Sequence, residues 1–195
     1  MSATLRHTAD GFESQLGVNH PGHFALTSLF LDRITGRVVT VSSAGYRGAR
    51  IDFADLQWER RPYSPFGAYG QSKLASLLFT RELQRRLTES GSPVLATAAH
   101  PGWAATGFTM TTGRPALDGV LALGTRLLAQ GPEGGARPTL LATVGDVPGG
   151  SFAGSSRFGV RGPAALEPLT GPALDDAAAR RLWEVSELLT FPFSG

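Results

Sequence analysis

Ala68-Tyr69-Gly70-Gln71-Ser72-Lys73 contains the one lysine of a 195-residue chain that has 18 lysines and arginines in all. In a composition this rich in arginine, a position that needed only a positive charge would accept arginine as well. Lysine offers a compact ammonium with three donors, and arginine a wide planar fork, so a site shaped for the first rejects the second. Tyr69 stands four residues before Lys73, which on a helix puts both side chains on one face, roughly 5–6 Å apart at Cβ. A free phenol titrates near pH ~10, and a neighbouring cation favours the phenolate and lowers that value. The pair therefore reads as a tuned proton donor or acceptor. A surface tyrosine that merely precedes a lysine has the same spacing, so the pair alone leaves both readings open.

Outward from this stretch, Ser64-Pro65 supplies an N-cap and first-turn proline for a helix buried through Leu74, Leu77, Leu78, Phe79, Leu83 and Leu87, with Gly91 as its stop. Upstream, Arg37–Val41 is a short β-branched run that reads as a buried parallel strand ending at Ser42-Ser43-Ala44-Gly45. Downstream, residues 94–99 form a second such strand, ending at His100-Pro101-Gly102-Trp103 and followed by Thr106. Functional groups of open α/β sheets collect at the carboxyl ends of strands, although two serines there also suit an ordinary turn. Residues 46–62 read as a loop packing down on Ile51, Phe53, Leu56 and Trp58.

The first predicted helix starts near Asp10, with Glu13 completing a capping-box variant, and runs to about Leu31. Phe12, Leu16, Asn19, His23, Thr27 and Phe30 recur along it at steps of three or four. Asn19, the one asparagine of the chain, falls on this stripe, where an amide is costly unless it is used. Pro21 predicts a kink or a loosened carbonyl. Past the second strand, Trp103, Phe108 and Met110 lie in a Gly- and Thr-rich stretch that suits a lid over an apolar pocket. Two helices are expected at 117–128 and 132–143, a short strand at 151–153, a Pro/Gly-rich loop, and a terminal helix over 175–189.

An apolar content of 42 % and this length fit a single domain over residues 1–195. Cysteine is absent, which removes disulfides and thiolate metal sites. His20 and His23 have no ligand companion at a recognisable spacing, and no metal is assigned. The net charge of +2 comes from scattered arginines, including Arg85-Arg86 and Arg180-Arg181, read as solvated faces and not as a nucleic-acid surface. No signal peptide or membrane span is visible, and a cytoplasmic protein is expected.

In order, the segments Asn19-His-Pro-Gly-His-Phe24, Val39-Thr-Val-Ser-Ser43, Ala68-Tyr-Gly-Gln-Ser-Lys-Leu74 and His100-Pro-Gly102 with Thr106 closely resemble the short-chain dehydrogenase/reductase family. The likeness is greatest to its retinol-dehydrogenase-like and protochlorophyllide-reductase-like bacterial members, and continues to Arg180-Arg181-Leu-Trp-Glu184. It implies an oxidoreductase using NAD or NADP on an alcohol or carbonyl. Tyr69 would be the general acid or base, with Lys73 lowering its pKa and binding the nicotinamide ribose. Ser43 would hold the substrate oxygen and Asn19 a water in the proton path. Pro101, Gly102 and Thr106 would contact the nicotinamide end of the cofactor. A homodimer through the helices at 10–31 and 65–90 is also implied.

The family opens with a strand, a Gly-rich turn and a helix that receive the pyrophosphate. This sequence has no G-x-G, and resembles the later part of a doubly wound Rossmann-type sheet. The strand at 37–41 is then expected to present an exposed apolar edge, and dinucleotide affinity to be weak. The competing expectation is a catalytically silent remnant that acts by self-association or partner binding.

Overall fold

The computed structural model describes residues 3–102, 119, 131–157 and 160–191. Strand β1 (Arg37–Val41) pairs in parallel with β2 (Leu95–Ala99) along its whole length, from Arg37 opposite Leu95 to Val41 opposite Ala99. β3 (Phe152–Arg157) continues the sheet in parallel beside β2, and β4 (Arg161–Glu167) closes it antiparallel, giving the order β1-β2-β3-β4. The protein is thus α/β with a mostly parallel sheet, as the alternation of strands and helices predicts.

Residues of β2 alternate between two helical layers, as the pleat requires. Ala96 and Ala98 face α3 (Pro65–Glu89), where Leu74, Leu77, Leu78, Phe79, Leu83 and Leu87 are all buried as expected. Thr97 and Ala99 face α4 (Pro132–Val144), the Thr97 hydroxyl donating to the Ala142 carbonyl at 3.1 Å. Ser64 caps α3 by accepting from the Gly67 amide at 3.1 Å, and Gly91 adopts a φ of +69° just past its end. The terminal helix α5 (Asp176–Thr190), capped by Asp175, sets Trp183 against Phe24 and Phe79. The loop over 46–62 packs Ile51, Phe53 and Leu56 on the core and buries Trp58.

Three expectations are corrected. The helix predicted from Asp10 to Leu31 is two, α1 (Ser14–Asn19) and α2 (Pro21–Phe30). Glu13, not Asp10, is the cap, its carboxylate accepting from the amides of Gln15 and Leu16 at 2.9 and 2.8 Å. Pro21 serves as the first residue of α2, a position where its missing N–H costs nothing. The break at His20, with φ −130° and ψ −70°, re-phases the stripe, so Phe24 is buried while Phe30 is 55 % exposed. The Pro/Gly-rich loop expected after residue 153 contains the rest of β3 and all of β4. Pro163 is tolerated there because β4 is an edge strand. The third concerns Arg85, Arg86 and Arg181, which do not form merely solvated faces. The first two clamp the buried Glu82, and Arg86 and Arg181 lie over the rings of Trp183 and Phe53. Trp103, Thr106, Phe108, Met110 and, apart from residue 119, the helix expected at 117–128 lie outside the described residues.

Candidate active site

β1 and β2 run in parallel and end together, so Ser42-Ser43 and His100-Pro101-Gly102 leave the sheet side by side at its carboxyl edge. Ser42 fastens this corner. Its amide donates to the Ala99 carbonyl at 2.8 Å and its hydroxyl to the Lys73 carbonyl at 2.7 Å, which anchors α3 to the strand end. Ser43 is extended, and its hydroxyl accepts from the Gly45 amide at 3.2 Å and hydrogen-bonds Tyr69. This closeness depends on Gly70, where a Cβ would stand 3.0 Å from the Gly45 carbonyl oxygen and 3.1 Å from the Ala49 Cβ. The turn that bears Ser43 can therefore lie directly on the helix that bears Tyr69.

One helical turn on, the Lys73 ammonium lies 5.8 Å from the Tyr69 ring centroid and donates to the Val41 carbonyl at 3.0 Å. No carboxylate pairs with it among the described residues. Asn19, last residue of α1, donates from Nδ2 to the Ser72 hydroxyl at 2.9 Å. The interruption at His20 leaves the Asn19 carbonyl open to side-chain donors, and Ser76 donates to it at 3.2 Å. Ser43, Tyr69 and Lys73 thus meet around the first turns of α3, with Pro101 and Gly102 at the neighbouring strand end, while Asn19 reaches the same helix through Ser72 and Ser76. Thr106 lies outside the described residues.

Burial lowers the Lys73 pKa to about 8, and burial raises that of Tyr69, with the Ser43 hydrogen bond opposing. The lowering of the phenol by Lys73 that the resemblance implies is not what this arrangement produces. Both groups are poorly hydrated, which penalises phenolate and ammonium alike. An ammonium aimed at a neutral carbonyl with no anion at hand is chemically fitted to take an external acceptor, such as a ribose hydroxyl. Gly102, with φ +66°, allows the backbone beside it to turn tightly toward a bound group.

A second cluster adjoins the site, and sequence reasoning did not find it. His100, 1 % exposed, points Nε2 at Glu167 Oε1 at 3.1 Å, while its Nδ1 accepts from the Gly102 amide at 3.3 Å. The other oxygen of Glu167 accepts from Arg47 at 2.8 Å. Burial lowers the His100 pKa against the opposing pull of Glu167. The histidines otherwise have separate partners: His20 bonds Ser186 at 2.7 Å, and His23 the Asn19 carbonyl at 3.2 Å. A cavity of about 900 Å³ lined by Pro132, Glu133, Arg137, Arg157, Arg161 and Pro163 includes none of the candidate residues.

No family model matches the chain. It is 41 % identical over 196 residues to human retinol dehydrogenase 13, covering 93 % of this chain and 55 % of that protein. It is 40 % identical over 191 residues to mouse polyprenol dehydrogenase, covering 94 % of this chain and 55 % of the relative. A crystal structure of an uncharacterised protein from Mycobacterium paratuberculosis superposes with a TM-score of 0.79 at 48 % identity, covering 99 % of this chain and 66 % of the other. The chain spans about half the length of the curated relatives it matches. Sheet order, strand-end motifs and these relatives together place it in the short-chain dehydrogenase/reductase family. Within that family it is a homologue of the retinol and polyprenol dehydrogenases.

Proposed function

We propose that this chain carries the catalytic part of an NAD(P)-dependent oxidoreductase interconverting an alcohol and a carbonyl. The observation that carries this reading is Lys73, a half-buried ammonium without an anion among the described residues, one helical turn from a tyrosine bonded to Ser43. NAD or NADP, when bound, supplies or accepts the hydride. The hydroxyls of Ser43 and Tyr69 hold the substrate oxygen, and Tyr69 gives it a proton in reduction or takes one in oxidation. Lys73 would donate to the cofactor's ribose when it is bound and, with its ammonium turned from the Val41 carbonyl toward the site, would favour the phenolate. Asn19 would support a water in the proton path. Pro101 and Gly102, and by the resemblance Thr106, would border the nicotinamide when it is bound. The names of the relatives make apolar alcohols and their aldehydes the first substrates to try.

Self-association accompanies this reading, supported by Val18, Leu29 and Phe30 on α1 and α2, which are 61, 68 and 55 % exposed. Among the described residues no helix is long and apolar enough to cross a membrane. The test is titration of the chain with NADPH and NADH by nicotinamide fluorescence, beside Lys73→Ala and Tyr69→Phe. Saturable binding that weakens about tenfold in Lys73→Ala is expected. Tyr69→Phe should bind cofactor normally and reduce aldehydes about 10²–10⁴ times more slowly. Absence of saturable binding at millimolar cofactor would sink the reading and favour a silent self-associating chain, visible as a dimer in sedimentation.

A further inference from the structure

We infer that Glu167 is a positioning residue that ties together the two loops of the site, a role that rests on the oxidoreductase reading above. One carboxylate oxygen accepts from Arg47, just past the turn that carries Ser43, at 2.8 Å. The other meets Nε2 of His100 at 3.1 Å. His100 passes the constraint on, because its Nδ1 accepts from the Gly102 amide at 3.3 Å. That amide and the Glu167 carboxylate fix the tautomer together: Nδ1 accepts from the first, and Nε2 carries the proton and donates it in a hydrogen bond to the second. A side chain at the end of the edge strand β4 thus spans the carboxyl ends of β1 and β2.

The bridge is built into the sheet. His100 is 1 % exposed and stacked on Phe152, with ring centroids 5.0 Å apart and planes at 28°. The neighbouring residue of β3 is Gly154, where a Cβ would fall 2.1 Å from Glu167 Oε1 and 2.3 Å from His100 Nε2. Only glycine leaves room for the pair. Without Glu167, the buried Nε2–H loses its acceptor, and the ring can change tautomer or rotate, releasing Gly102 from its left-handed turn at φ +66°. On the oxidoreductase reading, the part of the cleft affected would be the end that takes the nicotinamide.

The experiment compares the unsubstituted chain with Glu167→Ala, Glu167→Gln and Arg47→Ala. The His100 tautomer is read by ¹⁵N NMR of the imidazole, and affinities for NADH and for ADP-ribose, which lacks nicotinamide, by calorimetry. Glu167→Ala is expected to abolish the single Nε2–H tautomer and weaken NADH about tenfold while leaving ADP-ribose unchanged. Glu167→Gln, which keeps an acceptor, should restore most of both. Arg47→Ala should weaken NADH by less than about threefold. An unchanged tautomer in Glu167→Ala overturns the proposal by itself, as does an equal loss of NADH and ADP-ribose, which marks general destabilisation. If the unsubstituted chain binds ADP-ribose but not NADH, the oxidoreductase reading fails, and the role of Glu167 toward nicotinamide fails with it. The tautomer then still decides whether Glu167 holds His100 and Gly102.

Discussion

Near its C-terminal end α3 surrounds the Glu82 carboxylate with Arg85 and Arg86, whereas nearer its start the same helix holds Lys73 against the Val41 carbonyl. At the first place, the acid is 2 % exposed and receives 2.6 and 2.8 Å contacts from two guanidinium groups. Burial alone would raise the Glu82 pKa, but those hydrogen bonds outweigh it and hold the carboxyl below its usual value. Arg86 also lies 4.3 Å from the Trp183 ring. Charge there is matched and serves to join α3 to α5. At Lys73 the charge is unmatched among the described residues, and burial depresses its pKa to about 8. A fold keeps a matched cation for its own stability, whereas an unmatched one costs stability and is retained for something outside the chain.

The largest effect should come from making the second place resemble the first. Lys73→Arg keeps the charge but not the compact head, and kcat/KM for aldehyde reduction should fall about 100-fold, about 3 kcal/mol in transition-state terms, in steady-state assays. Next, Glu82→Ala leaves Arg85 and Arg86 to solvent and opens the joint. It should cost about 2 kcal/mol, a drop of about 4–8 °C in Tm by calorimetry, with NADH affinity untouched.

A smaller effect of opposite sign is expected of Lys73→Met. The folded pKa of about 8 lies below the ordinary 10.5, so between these values the unfolded chain binds more protons, and stability rises with pH. Below pH 8 the full penalty is present. Discounted for partial exposure, it is about 1 kcal/mol, so Lys73→Met should melt about 2–4 °C higher at pH 7. That advantage should vanish as the pH passes 10.5. Finally, Arg86→Lys at the clamp should cost less than about 1 kcal/mol in urea unfolding, since Arg85 keeps its paired contacts to both Glu82 oxygens. A larger loss would show that the two places differ less than proposed.

The sequence made legible what local signals encode. The Ser64-Pro65 start, the leucine ladder and Gly91 gave α3 within a residue or two, because cap, periodicity and stop all agree. The β-branched run at 37–41 coincides with β1. The break between α1 and α2 was half legible: Pro21 signalled a disturbance, but a stripe at helical spacing runs through it without showing the rotation at His20. β4 was hidden by Gly162 and Pro163, which argue against a strand unless it is known to lie at an edge. Of the candidate residues, Asn19 and Lys73 stood out as singletons and Ser43 by its place after a strand. Glu167 and Arg47 had no such signal. They are 120 residues apart, and an ion pair between distant segments leaves no periodicity in either.

Because Lys73 is the only lysine, its Nζ is the chain's only side-chain amine, and a pKa of about 8 leaves a sizeable share of it unprotonated in mildly alkaline buffer. An acylating or reductively methylating reagent would therefore modify a single side chain. Its rate of labelling, followed by mass spectrometry while dinucleotides are added, would report occupancy of the cleft without any substrate being known.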